Sequence, residues 1–131
     1  MAKENFVGEF EINASKAMLF PYLSTASGLS QWFADDVNID NINKTLIFII
    51  DGEERVAKID SIKINHYVKF SFISDDENEK DNEFIEFRLQ INELTQSVFI
   101  KITEYAETED LEESHQIWNN LLSNLKEIIG A

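Results

Sequence analysis

Cysteine is missing from this chain, so a disulfide framework, a thiolate nucleophile and a cysteine metal cage are all excluded. Proline occurs once and the four glycines stand far apart, which leaves no glycine-rich phosphate loop. Positive charge is scarce: 11 basic against 25 acidic residues give a net −14. A field of that sign repels nucleic-acid phosphates and anionic lipid headgroups, so nucleic acid is not expected as a partner. It does not keep a neutral lipid or an apolar metabolite out of a cavity. Long apolar runs are absent too. The longest, residues 46–50, falls far short of the roughly 20 residues that cross a bilayer, and residues 1–10 carry charges where a signal peptide needs an apolar core. The expectation is a soluble cytoplasmic protein, not an integral membrane protein.

What is present is apolar and aromatic. Hydrophobic residues make up 44% of the 131, with ten Phe and two Trp, which is ample for one core. No interdomain linker or internal repeat is visible, so residues 1–131 read as a single domain.

The hydrophobic pattern sets the order of elements. Residues 6–12 alternate, Phe6, Gly8, Phe10 and Ile12 against Val7, Glu9 and Glu11, as a half-buried strand does. Residues 13–15 offer N-caps for a helix to about Leu23, in which Pro21 removes one donor and should shorten or kink it. Ser24 or Ser27 can cap a second short helix carrying Leu29, Trp32 and Phe33. Strands are expected over residues 37–41, 45–50, 53–62, 67–73, 84–91 and 97–106, with a turn at Asp51-Gly52. Residues 74–83 hold no apolar side chain and read as a solvated loop. Thr108 can cap a last helix, on which Leu111, His115, Trp118, Leu122, Leu125 and Ile129 form one face. Strands joined by short turns favour an antiparallel sheet covered on one face by helix. At 1.5 Å per residue the last helix is roughly 30 Å long, enough to cross the sheet.

The order strand, two short helices, about six strands and one long helix, with residues 15–23 leading into Gly28-Leu-Ser-Gln-Trp-Phe33, resembles the START-like (SRPBCC) superfamily. With Trp118-Asn-Asn-Leu-Leu-Ser-Asn-Leu125 it resembles the branch of bacterial homologues of the activator of the heat-shock-protein-90 ATPase. These motifs are structural and specify no shared active site. The resemblance implies an α+β helix-grip fold, birch-pollen-allergen-like, in which a curved antiparallel sheet clasps the long C-terminal helix over an apolar pocket. Members bind lipids, sterols or polyketides, a few are cyclases or hydrolases, and others serve as co-chaperone domains.

The candidate ligand-binding residues are Trp32, Phe33, Phe48, Phe70, Phe87, His115, Trp118 and Leu122. Trp118 leads, because it lies mid-face on the helix that would roof the cavity. A wall of Phe and Ile suits a neutral, apolar ligand. The plainer alternative for each aromatic is core packing, and for Trp32 and Phe33 it is locking the short helices onto the sheet. His115 could orient a ligand, or could be a partly exposed residue near the helix start; His66 reads as a turn residue. Asp35 and Asp36 could serve acid–base chemistry or a cation, and more simply cap a turn. The only arginines, Arg55 and Arg88, fall on outward or edge positions. No nucleophile–base–orienter set is visible, and no catalytic residue, metal or cofactor is expected. The function expected is a non-catalytic domain binding a small hydrophobic ligand or lipid between sheet and last helix. A protein-interaction or co-chaperone module with a packed interior is the alternative, and a polyketide cyclase or hydrolase is the third.

Overall fold

A computed structural model describes residues 3–73, 83–107 and 111–130. The expected loop at 74–83 and the Thr108 cap fall largely or wholly outside them.

Seven strands are described: β1 (Lys3–Ile12), β2 (Asp36–Asp40), β3 (Thr45–Ile50), β4 (Glu53–Lys63), β5 (Tyr67–Phe72), β6 (Phe84–Ile91) and β7 (Val98–Glu107). They form one antiparallel sheet in the order β1-β7-β6-β5-β4-β3-β2. Apart from the first strand, which lies beside the last, each strand pairs with its neighbour in the chain, as short hairpin connections dictate. Asp51 and Gly52 both take positive φ, 53° and 81°, the backbone that the tight β3–β4 turn requires. The register slips between Ile59 and Ser61 of β4, and a bulge of this kind bends its strand and helps the sheet curve.

Alternation decides which face is buried. Val98, Ile100 and Ile102 of β7, Ile85, Phe87 and Leu89 of β6, and Val68, Phe70 and Phe72 of β5 all point to the concave side. Register sets Phe87 beside Val68 and Ile102, so the three strands build one continuous layer.

The helices α1 (Lys16–Ser24), α2 (Ala26–Trp32) and α3 (Leu111–Ile129) close that side. Helix α1 runs through Pro21 to Ser24, close to the expected end near Leu23, so the proline does not shorten it. Thr25 joins the two short helices: its N–H and hydroxyl both donate to the Pro21 carbonyl, and its Oγ1 accepts from Gly28 N at 3.0 Å. Gly28 is required by contact, since a Cβ there would lie 2.2 Å from the Pro21 carbonyl oxygen. Helix α3 seats Trp118, Leu122 and Leu125 on the sheet, a stripe spaced by four and three. Glu112 and Glu113 stand in its first turn and Lys126 in its last, the placement its dipole favours.

Candidate functional site

Between α3, the end of α2 and the concave sheet lies a cleft of about 530 Å³. Its walls come from three layers. Helix α2 ends on Trp32 and Phe33, both buried, and the Trp32 indole donates to the Tyr22 carbonyl at 2.8 Å, fixing the ring against α1. Helix α3 contributes Ile117, Trp118 and Leu121. The sheet contributes Arg55, Phe72, Ile85 and Glu104.

Trp118 ties these layers together. Its ring stacks on Phe33 at 5.8 Å between centroids and 18° between planes, and meets Phe87 edge-on at 6.0 Å. Pairs of this geometry contribute roughly 0.5–1.5 kcal/mol beyond the area they bury. The indole N–H donates to Oε1 of Glu104 at 3.1 Å. Burial raises the carboxyl of Glu104 above the usual carboxylate range, and nearby Glu83 adds to the rise; the Trp118 N–H and the charge of Arg55 act against it. Arg55 in turn places Nη2 3.2 Å from Oε1 of Glu83 and lays its guanidinium 4.0 Å over the Phe72 ring.

The expected site residues divide. Trp32, Phe33 and Trp118 line the cleft. Phe48, Phe70, Phe87 and Leu122 sit beneath it, all within 2% of complete burial, and fill the centre of the core. His115 is exposed and packs on β1, its ring 6.0 Å from Phe6 and 6.2 Å from Phe10, so it does not reach the cleft. Arg55 requires a correction. It pairs in register with Phe48 and precedes the buried Ala57 by two residues, which turns it to the concave face. Arg88 does point outward, over the Tyr67 ring and beside Glu86. His66 is exposed in the β4–β5 turn. Asp35 and Asp36 are exposed and cap backbone, Asp35 from Asp51 N and Asp36 from Val37 N.

Glu104 was legible and missed. It continues the inward register Val98, Ile100, Ile102 by one more step, and a carboxylate at the end of an apolar series is the signal. Among the described residues no group of three His, Cys, Asp or Glu is gathered to hold a metal. No helix is long and apolar enough to cross a membrane there. A wider depression of about 1010 Å³ lies at the β1–α1 junction beside the β6–β7 turn; polar loop residues such as Asn13, Asn65 and Gln96 line it, and no aromatic side chain does.

Solved structures of similar shape are numerous. An Aha1 dimer from Colwellia psychrerythraea is 22% identical with a TM-score of 0.73, over 94% of this chain and 93% of that one. An uncharacterized protein from Bacillus thuringiensis is 11% identical with a TM-score of 0.75, over 98% and 100%. CalU16 from Micromonospora echinospora is 15% identical with a TM-score of 0.67, over 98% and 84%. At these identities the likeness is one of fold. No curated protein matches the sequence. The family model described as START-like superfamily domain matches residues 1–131. With a seven-stranded antiparallel sheet gripping a long C-terminal helix, the chain belongs to the START-like superfamily.

Proposed function

We propose that this chain is a binding domain that takes a small, mainly apolar molecule into the cleft beside Trp118. The observation that carries this reading is the combination of an open volume of about 530 Å³ with an aromatic wall of Trp32, Phe33 and Trp118 and one inward carboxylate. Ligand sites commonly occupy roughly 300–1,000 Å³, with apolar walls and few polar groups. The binding space is at the margin of the core, because Phe48, Phe70 and Phe87 fill its middle. That filled middle also favours the second reading, an interaction module whose acidic surface meets a basic partner.

Both tryptophans of the chain line the cleft, so their emission reports its occupancy. Titration with the neutral dye N-phenylnaphthylamine should give saturable, one-to-one quenching of that emission. A Leu121→Trp variant, which fills the cleft from α3, should lose it. Non-saturating quenching in the parent, together with native mass spectra of the host-purified protein free of any small molecule, would overturn the reading in favour of the interaction module.

A further inference from the structure

The polar groups of the cleft are unequal, and their inequality bears on what it accepts. This step rests on the binding function proposed above and specifies the chemical class of guest. Among the described residues, three carboxylates line the cleft, Asp35, Asp51 and Glu104, against the single guanidinium of Arg55. That guanidinium is already engaged, by Glu83 at 3.2 Å and by the face of Phe72 at 4.0 Å. A guest carboxylate would have to share that guanidinium with the carboxylate of Glu83 and lie near Glu104, a like-charge juxtaposition that disfavours it.

A cation meets the opposite situation. Glu104 gives one oxygen to the Trp118 indole, and a carboxylate has a second. An ammonium group there would form a charge-assisted hydrogen bond out of bulk water. It would also stand close to aromatic rings, and indole is the ring that attracts cations best. Phe33, Ile117 and Leu121 offer apolar surface to the remainder of the guest, and the uncharged polar side chains of the lining are those of Gln31, Ser114 and Asn124.

We infer that the cleft selects an amine-bearing amphiphile, its ammonium on Glu104 beside the Trp118 ring and its apolar body against Phe33, Ile117 and Leu121. The carboxyl of Glu104, raised by burial, must be ionised to hold such a guest, so affinity falls as pH drops through its titration. The charged groups facing it from other elements are Arg55 on β4 and Glu83 ahead of β6, with Asp35 and Asp51 lining the same cleft.

The experiment is displacement of N-phenylnaphthylamine by decylamine, decanol and decanoic acid, three guests with the same chain and different heads. Decylamine should displace the dye at a concentration about tenfold lower than decanol, with decanoic acid weakest. In Glu104→Gln, which keeps an acceptor for the Trp118 indole, the amine-to-alcohol ratio should collapse toward unity. In Glu9→Gln, which removes a carboxylate from the exposed face of β1, the ratio should stay as in the parent. Equal displacement by amine and alcohol, or preference for the acid, overturns the amine assignment and leaves the binding function standing. Failure of all three to displace saturably bound dye also overturns it, whereas absence of saturable dye binding brings down both. Should Glu104→Gln not fold, the order of the three guests in the parent and its pH dependence decide alone.

Discussion

Glu104 is held in a position that works against its own ionisation. Burial disfavours its charged form, and the N–H of Trp118 recovers only part of that loss. A carboxyl whose folded pKa lies above its unfolded one binds more protons in the folded state. Stability therefore falls as pH rises between the two values, and the penalty is complete above the folded value. At acid pH, below the unfolded pKa, both states are protonated and the penalty vanishes. Glu104→Gln keeps an acceptor for the indole and removes the charge. Thermal denaturation should show the variant more stable than the parent at neutral pH, with the margin closing as the solution is acidified. A margin that held constant with pH, or grew in acid, would mean that Glu104 is not the strained group. The same residue marks a limit of reading by residue type. The aromatic members of the cleft attract notice because they are large, whereas Glu104 is one of 25 acidic residues and is distinguished only by its strand parity.

At the scale of elements, periodicity carried most of the fold. The alternation of β5, β6 and β7 and the four–three spacing of Trp118, Leu122 and Leu125 are consequences of packing against one core, so they stand in the sequence directly. Contacts across elements do not. His115 lies on the helical face that includes Leu111 and Trp118, yet Leu111 is itself 44% exposed, and near its start α3 lays that face on the β1 side of the cleft. Arg55 lies two residues from the nearest buried position of β4, and its inward parity rests on Ala57 alone. The α1–α2 junction shows a third case, where local preference and packing disagree in sign. Inside a helix Ala is favoured over Gly by up to about 1 kcal/mol. At Gly28, however, a Cβ would meet backbone, 2.2 Å from the Pro21 oxygen and 2.6 Å from Tyr22 Cα. Backbone cannot rotate away as a side chain does, and overpacking costs typically about 1–3 kcal/mol. Packing should win. Gly28→Ala should lower the urea midpoint by an amount equivalent to about 2 kcal/mol, and it should shift Trp32 emission, because α2 must move off α1. A stabilised variant would show that the two helices have room to separate.

For the molecule as a whole, the dominant electrostatic fact is the net −14 carried by 131 residues. Ion pairs among the described residues, Arg55–Glu83, Lys69–Asp60 and Arg88–Glu86, have N···O separations of 3.2, 3.7 and 3.3 Å and involve partly exposed side chains. Each such pair contributes at most about 1 kcal/mol. Self-repulsion acts over a longer range. The screening length is roughly 30 Å at 0.01 M salt and 10 Å at 0.1 M, so at low salt every carboxylate senses most of the others. Unfolding relieves that repulsion by separating the charges, which makes it a cost borne by the compact state. Salt therefore weakens two opposed effects, a few short-range attractions and a many-body repulsion, and the excess of acidic residues makes the second the larger. Raising sodium chloride from about 0.01 to 0.1 M should increase Tm, in a calorimetric scan at neutral pH. A decrease would require the ion pairs to outweigh the net charge. The same screening should weaken decylamine relative to decanol without abolishing its advantage, since the surface field is shared by the solution while the carboxylate of Glu104 stands within the cleft, less open to mobile ions.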